Sequence, residues 1–150
     1  MGLTTDVGAS GIGEYELGAA KDKTSSLYLT IGTGIGGSYI QNGKLLEGYS
    51  HPEMGHFELP KEDDDDFEGV CDYHKNCFEG LCSGPAIEKR AGEKGENLDI
   101  SDPAFAITAK YIAKGLYTYT AILRPHIIII GGGVCLSLIH ISEPTRLGMI

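Results

Sequence analysis

Residues 51–79 constrain the fold of this chain more than any other stretch, because they bring cysteines and histidines together at a metal-binding spacing. Cys71, His74 and Cys77 follow a C-x2-H-x2-C pattern, and His56 lies upstream as a fourth candidate ligand. Structural zinc takes four thiolate or imidazole ligands in a closed tetrahedral set, which holds a loop in shape and leaves no position open for water. The pattern therefore predicts a zinc-binding loop with these four ligands.

Two other interpretations of these residues stay open. Coincidence is one, although five of the nine cysteines and histidines in the chain lie within residues 51–77. The second is a disulfide between Cys71 and Cys77, which would need an oxidising compartment that nothing in the sequence indicates. Cys82 is predicted to be a small buried apolar residue and not a ligand.

The composition indicates one folded domain, since 41% of the 150 residues are hydrophobic. A net charge of -9 argues against nucleic-acid binding, because phosphate contacts need clustered Lys and Arg. The acidic run over residues 62–66 is predicted to be a solvated loop, since it lacks the spaced ligands and fixed glycine of a calcium loop. No signal peptide opens the chain, and the longest apolar run, residues 127–130, is too short to span a membrane, so we expect a cytoplasmic protein.

Local patterns predict alternating helices and strands, which is typical of an α/β fold. Asp6 precedes the first helix, where a carboxylate would be suited to capping. The predicted elements are a helix over residues 11–20, strands over 27–31 and 38–40, a turn at 42–43, a helix over 80–90 capped at Ser83, a longer helix capped at 101–103 and ending at 124–125, and a fully buried strand over 126–130.

Two glycine-rich turns follow strands and are candidates for ligand contact. Residues 32–37 leave backbone N–H groups unshielded, so this loop could approach phosphate oxygens closely. It is not a Walker loop, because it lacks a Gly-Lys-Ser/Thr ending, and a plain hairpin is an equal alternative. Residues 131–133 follow the last strand, as in α/β folds that bind ligands at the carboxyl ends of strands.

These motifs, in this order, resemble the ROK family of sugar kinases and sugar-responsive repressors, and most closely its bacterial fructokinase branch. The resemblance is carried by residues 5–20, 27–48, 51–56, 71–90 and 127–134. The C-x2-H-x2-C form of the loop favours the fructokinase branch, because many other members carry three cysteines there. The resemblance implies an incomplete α/β, actin-like ATPase (ribonuclease H-like) fold with a zinc-binding loop insertion.

The resemblance also implies roles for individual residues. Asp6 matches the catalytic base, which accepts the proton of the sugar hydroxyl that attacks the γ-phosphate. Glu53 and His56, in an E-x-x-H motif, and Glu79 match residues that bind sugar hydroxyls. The positions implied to bind ATP are Gly32, Thr33 and Gly34, which match a phosphate-binding loop, and Gly132 and Gly133, which match an adenosine contact.

The implied function is phosphorylation of a hexose by ATP with Mg²⁺, with zinc as a structural metal, in a cytoplasmic homodimer. We expect the reaction to convert D-fructose to fructose 6-phosphate. A glucokinase or a kinase for mannose or an N-acetylated hexosamine is an alternative, because any hexose offers hydroxyls to the same Glu and His residues. A sugar-binding transcriptional repressor and a zinc-stabilised module without catalysis are further alternatives.

The sequence departs from the family pattern in several places. Gly8 stands where the family usually has Asn, and Thr5 stands where the glucokinases have Asn. Family members are about twice this length and begin with a phosphate loop that is absent here, so we expect residues 1–134 to be a partial kinase domain that is inactive alone. Residues 135–150 match no family segment and resemble translated adaptor sequence, so we expect a non-native tail in which neither Cys135 nor His140 is functional.

Overall fold

The computed structural model describes residues 4–135, and a four-stranded sheet lies at the centre of this part. The elements are α1 (Asp6–Glu16), β1 (Ser25–Ile31), β2 (Ile35–Gln41), β3 (Lys44–Leu45), α2 (Phe78–Cys82), α3 (Gly84–Ala91), a 3-10 turn (Gly95–Asn97), α4 (Pro103–Leu123) and β4 (Ile127–Gly131). The strand order is β3-β2-β1-β4, with β1 antiparallel to β2 and parallel to β4. Within residues 4–135, no helix is both long and apolar enough to cross a membrane.

The two predicted strands around the first glycine loop form a hairpin. Its strands pair from Ser25 opposite Gln41 to Ile31 opposite Ile35, so only residues 32–34 remain in the connection. At the other end of β2, Asn42 and Gly43 take positive φ values of 51° and 74° before β3 begins. Two consecutive left-handed residues, Asn then Gly, are typical of a type I′ turn. The structure thus has both the predicted hairpin and the predicted turn.

Helix α1 begins five residues earlier than predicted, so the expected start at residue 11 was wrong. The Thr5 side chain accepts a hydrogen bond from the Gly8 N–H (3.1 Å) and caps the helix, which places Asp6 in the first turn. The helix lies on the sheet with Gly11 directly against Ser38, at a spacing that leaves no room for a side chain on residue 11. This contact fixes Asp6 relative to β2.

The single helix predicted over residues 80–90 is two helices separated by Ser83. Ser83 is extended (φ -70°, ψ 165°) and ends α2 as α3 begins, and its side chain makes no capping hydrogen bond. The break has a physical cause, because Pro85 lacks an N–H group and its ring would collide with a helical carbonyl four residues earlier. Ser83 therefore occupies the predicted N-cap position, at the start of α3, without a side-chain cap.

Helix α4 has the predicted limits and a slightly different buried face. Asp102 accepts a hydrogen bond from the Ala104 N–H (2.8 Å) at the start, and Arg124 ends the helix in a left-handed conformation (φ 45°). Ala109 and Ala113, which were predicted to be buried, are exposed. The buried residues of the helix are Ala104, Phe105, Thr108, Tyr111, Ile112, Gly115 and Tyr119.

Strand β4 is only partly buried, so the prediction of a fully buried strand was wrong. All five of its residues have intermediate exposure. Within the described residues, β4 is an edge strand that pairs with β1 alone. Ile128 and Ile130, which share one face of the strand, pack against the core.

The acidic run over residues 62–66 was predicted to be a solvated loop, but one of its side chains is buried and paired. Both guanidinium ends of Arg90 donate to the Asp65 carboxylate, at 2.7 and 2.9 Å, and Tyr111 Oη donates to Asp65 Oδ2 at 2.6 Å. The hydrogen bond from Arg90 is the main reason that the pKa of Asp65 is lowered to about 2. Asp65 therefore attaches the run to Arg90 and Tyr111, while Asp63 and Asp64 are exposed as predicted.

This ion pair predicts how stability depends on pH. Because Asp65 has a folded-state pKa of about 2 against an ordinary value of 3.8, its ionisation stabilises the fold by roughly 2 kcal/mol above about pH 4. This contribution is lost as the pH falls through 2. We expect Asp65→Asn to lower the free energy of unfolding by about 3 kcal/mol near neutral pH, since it leaves Arg90 buried without its counter-charge. We also expect the free energy of unfolding of this variant to change less than that of the wild type between about pH 4 and pH 2.

Urea unfolding with a chelator present, repeated from neutral to strongly acidic pH, measures both effects. Asp64→Asn removes the same charge from an exposed position and should follow the wild type. If the free energy of unfolding fell equally with acid in the wild type and in Asp65→Asn, this ion pair would not be the cause of the loss of stability at low pH.

Candidate metal centre and active site

The four predicted metal ligands meet at one point. His56 Nδ1 lies 3.7 Å from Cys71 Sγ and 3.7 Å from Cys77 Sγ, and His74 Nδ1 lies 3.8 Å from Cys71 Sγ. All four ligand atoms lie within 4.8 Å of one another. Tetrahedral zinc, with bonds of about 2.3 Å to sulfur and about 2.0 Å to nitrogen, needs sulfur–nitrogen separations of about 3.6 Å. The residues present therefore fit a zinc ion.

The loop that carries these ligands is wound tightly around one carbonyl group. Lys75 takes a left-handed conformation (φ 52°), and its N–H donates to the Cys71 carbonyl (3.1 Å). Gly69 and Gly80 both pass so close to the Lys75 carbonyl that a side chain at either position would collide with it. Glycine at these two positions lets three chain segments meet and brings Cys71 towards Cys77.

Cys77 is held in place by the start of α2. It caps this helix, and the Gly80 N–H donates a hydrogen bond to its sulfur at 3.4 Å. Burial raises the pKa of the Cys77 thiol to about 11 in the metal-free protein. Zinc binds the thiolate, so metal binding must release this proton. Cys82 is fully buried beside the Thr108 carbonyl and is not in the ligand cluster, as predicted.

Glu79 connects the metal cluster to the glycine loop. The second ring nitrogen of His56, Nε2, faces Glu79 Oε1 across 3.9 Å, and Glu79 Oε2 accepts a hydrogen bond from the Ile35 N–H at 2.9 Å. A carboxylate next to the free nitrogen of a metal-ligating histidine is a common arrangement that orients the ring. Gly34 lies so close that an added Cβ would be 2.8 Å from Glu79 Oε2. His56, Glu79 and the loop thus form one packed unit.

The glycine loop over residues 32–34 separates two cavities. The first, of about 400 Å³, includes Asp6, Glu53 and Glu79 in its wall. The second, of about 520 Å³, is also lined by Gly32 and Thr33. Its wall includes Gly84, Pro85, Ile87, Glu88, Lys94, Phe105, Gly133 and Val134.

The structure brings most of the predicted site residues together around these cavities. Asp6 is exposed at the wall of the first cavity, where the Val7 N–H donates to its Oδ1 at 2.9 Å. His56 instead lines an adjoining cavity of about 230 Å³, which shares Glu79 and Thr33 with its neighbours. Gly132 lines neither the first nor the second cavity; it packs against the Ile31 backbone with a φ of 95°.

Sequence patterns did not indicate several residues of the site. His51 Nε2 lies 3.0 Å from Glu53 Oε1 and lines the first cavity, yet it stands outside the C-x2-H-x2-C pattern. Ile87 and Phe105 line the second cavity, although the apolar periodicity of α4 assigned Phe105 only to the core. Neither residue type carries a signal for ligand contact, so only the fold could identify them.

Comparison with known proteins identifies the family. The sequence profile of the ROK family matches residues 1–140. The chain belongs to the ROK family. A fructokinase from Lactococcus lactis subsp. cremoris is 46% identical over 133 residues, which are 88% of this chain and 45% of that protein. The chain spans about half the length of the curated relatives it matches.

Solved ROK structures share the fold. The ROK hexokinase of Thermus thermophilus has 29% sequence identity and a TM-score of 0.76, covering 93% of this chain and 55% of that one. The ROK family glucokinase of Streptomyces griseus, solved with glucose and AMPPNP, has 25% identity and a TM-score of 0.71, covering 90% of this chain and 53% of that one. These similarities confirm the predicted actin-like ATPase fold.

The structure gives a local reason for one departure from the ROK pattern. A side chain at Gly8 would run into the hydroxyl of Thr4, which lies over this position on α1. The asparagine usual in the family at position 8 would therefore require Thr4 to move. Position 8 is buried, so glycine here lets Thr4 and Thr5 pack close to the start of α1.

Proposed function

We propose that this chain is part of an ATP-dependent hexose kinase whose acceptor is D-fructose. The observation that carries the proposal is the position of the glycine loop over residues 32–34, which forms a common wall of two cavities. One cavity offers carboxylates for sugar hydroxyls, and the other offers Ile87 and Phe105 for a nucleobase. A sugar and ATP bound on either side would meet at this loop.

Polar groups in and beside the first cavity would hold the sugar. The Ile35 N–H holds one Glu79 oxygen, and His51 lies beside the Glu53 carboxylate. His56 lines the adjoining cavity, which shares Glu79 with the first. Where the two cavities meet, the 3.9 Å gap between His56 Nε2 and Glu79 Oε1 fits a bridging sugar hydroxyl, which would accept from the ring and donate to the carboxylate. Hydrogen bonds to several hydroxyls would fix the ring in one orientation.

Asp6 would then act as the general base. It lies at the wall of the same cavity, at the start of α1, and would accept the proton of the attacking hydroxyl as the bond to the γ-phosphorus forms. Phosphoryl transfer depends mainly on alignment and on stabilisation of charge, so the backbone of residues 32–34 would support the transferred group. ATP would enter as its Mg²⁺ complex.

Zinc, when bound by the cysteine and histidine cluster, would supply a structural cross-link and no chemistry. The chain's own contribution is the orientation of His56, which faces two thiols through Nδ1 and Glu79 through Nε2. In this orientation Nδ1 would bind the metal, so Nε2 would carry the hydrogen and could donate a hydrogen bond to a sugar hydroxyl. Three expectations stay predictions: the homodimer, the cytoplasmic location and the non-native tail over residues 135–150. Residues 136–150 of this tail lie outside the described residues.

Fructose as the acceptor is supported by the relatives and not by the residue types. The similar chain from Lactococcus lactis subsp. cremoris is a fructokinase, and the C-x2-H-x2-C spacing resembles that branch of the family. The carboxylates and histidines in and beside the first cavity would bind the hydroxyls of any hexose. The choice between fructose and other hexoses therefore needs a measurement.

A chimera tests the proposal without assuming that this chain is active alone. The 133-residue aligned segment of the Lactococcus lactis fructokinase is replaced by the corresponding residues of this chain. We expect ATP-dependent phosphorylation of fructose, with kcat/KM at least about tenfold above that for glucose, mannose or N-acetylglucosamine. A matched chimera with Glu79→Gln should lose sugar affinity.

Two results would contradict the proposal in different ways. A folded chimera that transfers phosphate to no hexose would remove the kinase assignment. Activity with a clear preference for another hexose would keep the kinase and replace fructose.

A further inference from the structure

We propose that Asp65, Arg90 and Tyr111 form a positioning clamp for the metal centre, which sets the path of the loop before the metal binds. The proposal rests on the metal centre described above and is independent of which sugar is phosphorylated. Hereafter these three residues are called the Asp65 clamp. None of them belongs to the cluster of metal ligands.

The clamp is a buried and well-formed set of polar contacts. Arg90 binds the Asp65 carboxylate with two parallel hydrogen bonds, and the side chains of Arg90 and Asp65 are only 9% and 7% exposed. Tyr111, which is fully buried on α4, donates its hydroxyl to the same carboxylate. Two-pronged guanidinium–carboxylate contacts fix geometry as well as charge, so the clamp specifies one position for Asp65.

The clamp holds more of the loop than one residue. The Glu62 N–H donates to Tyr111 Oη (3.0 Å), and the Phe67 N–H donates to Asp65 Oδ1 (3.2 Å). The Arg90 guanidinium also lies 4.0 Å from the centre of the Phe67 ring. Residues 62–67 are therefore attached to α3 and α4 by contacts that do not involve the metal ligands.

The position of the clamp along the chain determines what it does. Asp65 and Arg90 are 25 residues apart, and Cys71, His74 and Cys77 all lie between them. When the ion pair forms, three of the four ligands are confined to a closed loop. Closing that loop costs chain entropy, and a loop that is already closed leaves less of this cost to the metal.

The fourth ligand is tied to the same loop by backbone contacts. The Phe78 N–H donates to the Phe57 carbonyl (2.9 Å), and the Glu79 N–H donates to the Gly55 carbonyl (2.8 Å). These bonds place the residues on either side of His56 next to residues 78 and 79, which lie inside the closed loop directly after Cys77. The clamp and this backbone pairing together preorganise the ligand set, so the affinity for zinc should depend on a side chain that never touches the ion.

Zinc affinity of the full 150-residue chain tests the clamp. The apparent Kd is measured by competition with a chromophoric chelator at neutral pH, for the wild type, Asp65→Asn and Asp64→Asn. We expect Asp65→Asn to bind zinc about 10- to 100-fold more weakly, with the stoichiometry unchanged. Asp64→Asn makes the same change of charge at an exposed neighbouring position and should match the wild type.

A second variant keeps the test decisive if Asp65→Asn fails to fold without metal. Tyr111→Phe removes only the hydroxyl that joins Glu62 to Asp65, and we expect it to weaken zinc binding in the same direction by a smaller factor. A purely structural ion pair would lower the stability of the metal-free and zinc-bound chains equally and leave the Kd unchanged. Wild-type Kd values in both variants would overturn the clamp, while the metal centre would stand.

The wild-type measurement separates failure of the clamp from failure of the site. If the wild-type chain takes up no zinc, the metal centre and the clamp are both overturned. Neither result depends on phosphorylation, because the readout is metal binding alone.

Discussion

Replacing Asp6 by asparagine is expected to lower kcat for phosphoryl transfer by a factor of about 10² to 10⁴, while the KM values for sugar and ATP change little. Asparagine has the size of aspartate and can still form hydrogen bonds, but it cannot take up the proton of the attacking hydroxyl. Steady-state kinetics of the chimera described above, with and without Asp6→Asn, measure the effect.

The position of Asp6 explains why this change should act on the rate and not on the fold. Its carboxylate is exposed at the wall of the first cavity, and the cap of α1 is provided by Thr5. The substitution therefore leaves the helix start intact. Glu16→Gln is the matched control, since it removes the same charge from an exposed position at the other end of α1.

Retention of more than about a tenth of the wild-type kcat in Asp6→Asn would exclude Asp6 as the base, because general-base catalysis is worth far more than that. A rise in KM with an unchanged kcat would instead make Asp6 a binding residue. Loss of activity in Glu16→Gln as well would show that α1 does not tolerate charge changes, and the comparison would then be made with Asp6→Glu.

The second large effect is expected from Cys77→Ser, which should abolish zinc binding. Elemental analysis should find about one zinc ion per wild-type chain and none in the variant. Structural zinc contributes on the order of 10 kcal/mol to folding in small zinc peptides, so a loss of several kcal/mol in the free energy of unfolding is expected. In the chimera, the KM for sugar should rise more than kcat falls, because His56 loses its orientation and Asp6 does not.

Cys82→Ser is the matched control for Cys77→Ser, since both replace one sulfur by oxygen on α2 or at its start. Cys82 is fully buried beside the Thr108 carbonyl and outside the ligand cluster, so this variant should keep its zinc. Zinc retained in Cys77→Ser would remove Cys77 from the ligand set. Zinc absent from the folded wild-type chain would contradict the metal centre as a whole.

The parts of the site that could be predicted from sequence depend on residues close together in the chain. The C-x2-H-x2-C spacing places Cys71, His74 and Cys77 within one turn of a loop, so their proximity needs no knowledge of the fold. The hairpin around residues 32–34 is similarly local, because glycines at a strand end indicate a turn whatever lies nearby. The remaining roles came from resemblance to a family and not from the residues themselves.

The parts that could not be predicted depend on partners far away in sequence. Asp65 looks like its acidic neighbours, and it differs only because Arg90 and Tyr111 lie beside it in the folded chain. The exposure of β4 depends on whether strands pair with it on one side or on both. Its run of isoleucines does not indicate how many strands pair with it. In both cases the environment, and not the residue type, determines the outcome.

The Glu79 carboxylate lies beside His56 Nε2 and accepts a hydrogen bond from the Ile35 N–H, so it joins the cysteine and histidine loop to the end of the glycine loop. If zinc and nucleotide bind as proposed, any shift of Glu79 that one of them favours is felt by the other. Linkage is reciprocal, so the factor by which zinc tightens nucleotide binding is also the factor by which nucleotide tightens zinc binding. One glutamate would then allow a structural metal to report on the occupancy of the active site.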